Sequence, residues 1–444
     1  MSPRIRQGLQ VGIWALMTIG IAFLSGIPRT SFGITFLLYS AIFGGLVALY
    51  LLSPKVISWR NLFLAGLTMR VAVFFFSPQW SDDYFRFLWD GELLEMGENP
   101  YLEIPRDFLE KSANDSSAYL NQLFEGLNSR DYYSVYPPIN QLIFWIGAKA
   151  SMGFVWNGYM MLRLILILAE SAVFILLWKL LRVFELPQKQ ILWYWLNPLV
   201  VLEIVGNLHF EGFVLLFLLA SLWFFQKGRL GFSGGFWALA IGVKLLPLIL
   251  APAFLANEKV RKSRLFWLGT ILILVLCFSP LFIENSWMNF FQSLKLYQGK
   301  FEFNASMYYL LREIGFWIKG YNIIADLTKG LSILTLVLIL FFSFKRKSKT
   351  LQDMLDLWVL IYLIYLILQP VVHPWYILPG LGLSIFSRKV TFLLWSFAAI
   401  FSYQAYGNPD FMENSVFLFL AYGVVFFGVY VDYFKKERSP NFMA

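Results

Sequence analysis

The stretch with the most chemistry in it is Ser81-Asp-Asp-Tyr-Phe-Arg-Phe-Leu-Trp-Asp-Gly91, followed by Gly97-Glu-Asn-Pro-Tyr101. Two adjacent carboxylates, Asp82 and Asp83, stand where an apolar run ends. In a helical segment Asp83, Arg86 and Asp90 fall on one face, at spacings of three and four. A carboxylate at such a boundary can take a proton from a hydroxyl as a general base. Asp82 reads equally as the N-cap of that helix, whereas Asp83 is read as functional. Arg86 could hold a phosphate, or pair with Asp83 or Asp90. Gly97 and Asn99-Pro100 make a turn, after which Tyr101 packs or binds. Further on, Pro137 and Pro138 are suited to open a helix, and Tyr136 could line a groove.

The chain has only two histidines, and both stand at the ends of apolar runs: His209 in Asn207-Leu-His-Phe-Glu211, and His373 in Val371-Val-His-Pro-Trp-Tyr376. Glu203 and Glu211 lie in or beside apolar sequence. So does Lys244, within Leu239-Ala-Ile-Gly-Val-Lys-Leu-Leu-Pro247. A lysine there costs a few kcal/mol unless it is paired or faces a wet cavity. Either it snorkels to the interface or it holds a phosphate. No phosphate-cradling glycine loop, dinucleotide fingerprint or HExxH zinc motif is present, so ATP-driven and nicotinamide chemistry are unsupported. If the leaving group is a lipid phosphate, one base and a few cations suffice, because that group departs as a stable anion. Asp83 as base, with Arg86, Lys244 and a histidine about the phosphate, meets this need.

The elements that must position these residues are membrane helices. Of 444 residues, 59% are hydrophobic and 14% charged, with 46 Phe and 17 Trp. Mean hydropathy is +0.63. A soluble core cannot use so much apolar surface, whereas a bilayer can. Apolar runs recur from end to end, and about 12–14 crossings are expected. They form a single membrane domain over 1–444. The net charge of +9 comes from short basic loops, as the positive-inside rule predicts, and does not imply nucleic acid. Those loops carry Lys55 and Arg60, Lys227 and Arg229, Lys259 to Arg264, Lys345 to Lys349, and Lys435 to Arg438. The N-terminal run is read as a retained helix with its start inside. Residues 77–135 are acidic, with twelve carboxylates, among them Asp115, against four basic residues. They are expected outside. Residues 137–157 either dip into the membrane and return or lie at its surface. Residues 233–256 should form two short helices meeting near Lys244 to Pro247, where the proline breaks the helix. The single cysteine, Cys277, excludes an intrachain disulfide and a cysteine metal cluster.

Asp82 to Gly91, the spacing to Gly97-Glu-Asn-Pro-Tyr101, and Tyr136-Pro-Pro138 resemble the first external loop of the GT-C glycosyltransferases. The likeness is nearest to the bacterial polyprenyl-phosphate-mannose-dependent mannosyltransferases. Asn197-Pro198 with His209-Phe-Glu211, then Lys244-Leu-Leu-Pro247, then His373-Pro-Trp-Tyr376 resemble later signatures of that group, in order. The resemblance spans about residues 60 to 386. It implies an all-α, GT-C-like bundle with a large first external loop, set in a bacterial inner membrane. It also implies inverting transfer of a hexose, usually mannose, from a polyprenyl-phosphate sugar to a lipid or glycan acceptor on the non-cytoplasmic face. The family's catalytic aspartate maps onto Asp83, or onto Asp82 one residue away. The expected binding residues are Arg86, Asp90, Asn99, Tyr101, Tyr136, His209, Glu211, Lys244, His373, Trp375 and Tyr376. This chain departs from the pattern in having two extra apolar runs before the loop.

No cofactor is indicated, although Asp82 and Asp83 could bind a divalent cation. Two other functions compete: a multi-pass transporter or flippase, which would also carry broken helices and buried charges, and an O-antigen ligase or polymerase, which uses pyrophosphate-linked glycans.

Overall fold

A computed structural model describes residues 2–54, 57–112, 117–346, 348 and 350–435. Of the charged residues counted above, Lys55, Asp115, Lys347, Lys349 and Lys436 to Arg438 lie outside the described residues. The chain is all-α; its one β-type pairing among the described residues is an isolated bridge between Phe303 and Val371.

Seven helices are long and apolar enough to cross a bilayer: Pro3–Ser25, Phe32–Leu52, Val155–Val183, Arg264–Phe282, Ile324–Lys345, Leu351–Leu368 and Ser415–Tyr433. An eighth span forms if Pro198–Gly206 and Glu211–Gln226, which meet at 111°, are counted together. This is a multi-pass integral membrane protein. The remaining apolar runs fold as shorter or broken helices, so 12–14 runs give fewer uninterrupted spans. Within lipid each backbone N–H must pair inside its own helix, and the helix ends are finished accordingly. Ser2 accepts from the Ile5 N–H ahead of Pro3–Ser25. Thr350 and Asp353 form a reciprocal capping box that opens Leu351–Leu368.

The 137–157 and 233–256 segments fold as short helices. Pro138–Ser151 is a short helix that turns back at Met152 and Gly153, both at positive φ, into the long span Val155–Val183. It packs on helix Asp83–Glu95, the first of three helices in the 77–135 segment. A Cβ on Gly91 would sit 2.2 Å from the Phe144 carbonyl oxygen, so only glycine lets these two helices approach so closely. Helix Leu230–Val243 ends at Lys244, which is extended, and the chain resumes as a 3-10 turn through Pro247. The break after residue 243 is the one the sequence predicts.

Two buried arginines hold the bundle's polar spine. Arg70, on Trp59–Ala72, pairs with Glu170 at 2.7 Å; both side chains are fully buried. Arg70 also lies 3.6 Å above the Trp195 ring, and Tyr194 donates to Glu170 at 2.9 Å. Removing one partner of such a pair strands a charge, at a cost of about 3–5 kcal/mol, whereas replacing both can be neutral. Arg70→Met is therefore expected to lower the thermal unfolding temperature in detergent steeply. Arg70→Met with Glu170→Leu should recover most of the loss. Arg163 donates instead to carbonyls: Val205 at 2.9 Å, Gly206 at 2.6 Å, Phe74 at 2.7 Å, and Phe76. These acceptors end the π-helical turn Val201–Gly206 and the Trp59–Ala72 exit, and so fix the 111° bend.

Candidate active site

A cavity of about 620 Å³ opens where these breaks meet. The helices fix which end of the bundle this is. Glu211–Gln226 runs from Glu211 in the cavity to Gln226 in a separate recess, and that recess also holds Glu185, Leu351 and Arg388. Leu351–Leu368 runs back from the recess toward His373 in the cavity wall. Cavity and recess are thus opposite ends of the same bundle.

Of the thirteen residues singled out in the sequence, ten line the cavity: Asp82, Asp83, Arg86, Tyr136, His209, Glu211, Lys244, His373, Trp375 and Tyr376. Asp83 sits in the first turn of Asp83–Glu95. One carboxylate oxygen accepts from Asn128 Nδ2 at 2.9 Å; the other stands 4.0 Å from His209 Nε2. No cation neutralises Asp83 in a hydrogen-bonded pair among the described residues, and about a quarter of its side chain is exposed to the cavity. Asp82 occupies the N-cap position without capping; its carboxylate pairs with Arg29. The two adjacent acids therefore face different partners and do not converge. Among the described residues no group of three His, Cys, Asp or Glu side chains is arranged to hold a metal.

Arg86 settles on Asp90, at 2.6 Å, and donates to the carbonyls of Tyr132 at 2.8 Å and Ser129 at 3.2 Å. Asp90 also accepts from Ser134 at 2.5 Å and Gln141 at 2.9 Å. The pair clamps the returning loop 129–134 behind the cavity. Asp90, Asn99 and Tyr101 do not line the cavity. Asn99 donates to Ser286 at 2.9 Å, and the Tyr101 hydroxyl donates to the Tyr136 carbonyl at 2.6 Å. These two residues tie the loop to helix Ser286–Lys300 and to the Tyr136-Pro-Pro138 turn.

The opposite wall is cationic and aromatic. Lys244, freed from helix by the break at Val243, pairs with Glu211 and lies 3.8 Å above the Tyr376 ring. Asn140 donates to the Val243 carbonyl at 2.7 Å and so satisfies the broken helix end. His209 and His373 sandwich Trp375, with ring centroids 3.6 Å and 4.4 Å away and planes within 13° and 3°. Both indole faces are thereby covered, so Trp375 offers no face on which a sugar could stack; it orders the two imidazoles.

Burial drives the His373 imidazole well down, to about 3, with the positive charge of Lys244 adding to it. His373 is thus neutral near pH 7, and its buried Nδ1 has no hydrogen-bond partner among the described residues. The unfolded chain binds a proton here below about 6.5, which the folded protein refuses until about 3. Stability therefore falls as pH drops through that window. His373→Asn is expected to flatten the fall in unfolding temperature between pH 6.5 and 4.5.

Two cavity residues had no motif to announce them. Asn128 is an ordinary loop amide. Arg29 did leave a signal: it is a basic residue in the loop between the first two apolar runs, at the cavity end rather than with the basic loops. The Arg29 guanidinium lies 4.4 Å from the Tyr406 ring.

Residues 14–258, more than half of the chain, match a family model described as alpha-(1->6)-mannopyranosyltransferase, N-terminal domain. That segment contains Asp83, His209, Glu211 and Lys244, but neither His373 nor Trp375. No curated protein matches the chain.

Proposed function

The chain belongs to the alpha-(1->6)-mannopyranosyltransferase family, and from that premise we propose that its cavity moves mannose from a polyprenyl-phosphate mannose to a hydroxyl of a glycan or glycolipid acceptor. Transfer inverts the anomeric carbon, with Asp83 as the general base. What carries this reading is one juxtaposition: an accessible carboxylate and a cation, Lys244, in one cavity, with apolar residues beside the cation.

Asp83 takes the acceptor hydroxyl's proton as the oxygen attacks C1 from the face opposite the phosphate. The C1–O bond breaks, and its electron pair leaves on the lipid phosphate. That phosphate needs no proton to depart, so the site needs no carboxylic acid partner of the kind glycosidases use. Lys244 meets the phosphate charge, as fixed cations stabilise charge that develops in a transition state. Leu245, Leu246 and Leu294, which flank it in the cavity, give a prenyl chain apolar surface. An α-linked product by inversion requires a β-linked donor.

The acidic 77–135 segment and the cavity lie at the end away from the Lys227 to Arg229 and Lys259 to Arg264 loops. By the positive-inside rule the site faces the non-cytoplasmic side, in a bacterium the outer side of the inner membrane.

The test is donor choice. Purified protein is incubated with acceptor glycolipids and, in turn, mannose on a polyprenyl monophosphate, on a polyprenyl diphosphate, and on a nucleotide. Label should pass to the acceptor from the monophosphate alone. Transfer from the nucleotide sugar would overturn the donor assignment. Movement of label across liposomes with no bond made would favour a transporter.

A further inference from the structure

One buried acid has no part in that mechanism. Glu203 lies on the π-helical turn Val201–Gly206 and is fully buried. It accepts from the Tyr403 hydroxyl. Its other carboxylate oxygen stands 3.0 Å from His209 Nδ1, and its own carbonyl oxygen stands 3.1 Å from the same nitrogen. The backbone carbonyl can only accept, so Nδ1 carries the hydrogen and donates to it, while the carboxylate oxygen beside it makes no hydrogen bond of its own among the described residues. In the neutral ring the lone pair is then on Nε2. That nitrogen is buried, has no hydrogen-bond partner, and points at Asp83 across 4.0 Å. The gap exceeds a hydrogen bond, and a rotation of the Asp83 side chain can close it. The same cavity also holds the charged Lys244, Glu211, Arg29, Asp82 and Arg86, and the neutral His373 lies beyond Trp375.

Resting on Asp83 as the base, we propose that Glu203 and His209 form a proton relay behind it. Asp83 receives the acceptor proton as the glycosidic bond forms and the phosphate leaves. The protonated carboxyl then gives that proton to His209 Nε2, which restores the Asp83 carboxylate. The imidazolium is held between the Glu203 carboxylate and the Trp375 face until the proton passes to cavity water. No electrons change hands beyond the pair that departs on the phosphate. His209 carries the proton; Glu203, which never touches substrate, is a positioning residue. It fixes the ring and supplies the counter-charge. The π-helical turn makes this possible: it brings carboxylate and carbonyl of a single residue onto one ring nitrogen six residues later, and π turns are often found at functional sites.

The experiment is the pH profile of kcat/KM for wild type, Glu203→Gln and His209→Gln, with a mannosyl-phosphoryl polyprenol as donor. The relay needs His209 unprotonated, so the rate should rise through an acid limb. Removing the carboxylate makes the imidazolium less favourable. Glu203→Gln should thus move that limb about one pH unit lower and lower the plateau roughly tenfold. His209→Gln can still donate to Glu203 but cannot take a proton; it should lose the limb and most of the rate. A Glu203→Gln profile parallel to wild type would mean the acid is only structural. The same groups can be read without turnover. The chain has two histidines, so ¹⁵N-histidine spectra of His373→Asn report His209 alone. They should show the Nδ1–H tautomer, with a titration midpoint that falls in Glu203→Gln. An Nε2–H tautomer, or an unmoved midpoint, overturns the relay. Failure to consume any donor, with these spectra as expected, would strike the proposed reaction instead.

Discussion

Asp83→Asn is expected to lower mannosyl transfer by about 10³-fold or more, the scale of losing a positioned general base. The substitution is close to isosteric. The side-chain amide can still meet Asn128 through its oxygen, so helix Asp83–Glu95 should hold and the unfolding temperature should barely change. Donor binding should survive as well, because the cation proposed to meet the phosphate stands on another element, at Lys244. The measurement pairs two readouts on the same sample: labelled donor retained by the protein, and label recovered in the acceptor. Binding with no transfer supports the base. Near wild-type transfer would move the role elsewhere, and Asp82→Asn separates the alternatives. The Asp82 carboxylate is tied to Arg29, so its loss should loosen the 29–82 contact and cost less activity than the loss of Asp83.

The second large effect is expected at Lys244. Lys244→Met removes the cation and leaves the Glu211 carboxylate, 4% exposed, without its partner. Two losses should follow: KM for the donor rising about tenfold or more, equivalent to ~1.4 kcal/mol, and a drop in stability as the stranded acid is penalised. These have different cures. Adding Glu211→Gln to Lys244→Met removes the stranded charge and should restore the unfolding temperature, while donor KM stays high. If the double variant recovers KM as well, Lys244 serves Glu211 rather than the phosphate, and the phosphate site lies elsewhere.

The sequence made some of this legible for a physical reason. Ionisable side chains are costly in apolar surroundings, so the few that occur there stand out: Asp83, His209, Glu211, Lys244 and His373 were all visible, and all line one cavity. The break after residue 243 was visible too, because Pro247 cannot continue a helix. In the loop, where polar residues are cheap, residue type carried little information. Asn99 and Tyr101 looked like binding residues, and the structure places them in hydrogen bonds to Ser286 and Tyr136. Arg86 could not be resolved between phosphate and Asp90 because the outcome depends on Ser129 and Tyr132 carbonyls more than forty residues away. Trp375 is among the expected binding residues, yet its faces are taken by two histidines 164 residues apart in sequence. The apolar runs marked membrane helices but not their continuity. A π-helical turn and a 111° bend in 198–226 have no periodicity that would betray them.

The Arg163 clamp has a consequence for synthesis. Every partner that fixes the bend at Val205 and Gly206 is made before it: Arg163 itself, and the Phe74 and Phe76 carbonyls that share that guanidinium. The nascent chain can therefore settle this 111° bend as soon as it emerges. The opposite holds for the chemistry. Tyr403, which meets Glu203, follows it by 200 residues, and His373 and Trp375 also arrive late. A ribosome stalled after residue 258 would have delivered Asp83 and Lys244 but not His373, Trp375 or Tyr376 of the same cavity. The cavity is complete only when the last third of the chain has folded back onto the first, so a chain ended before residue 373 is expected to be inactive.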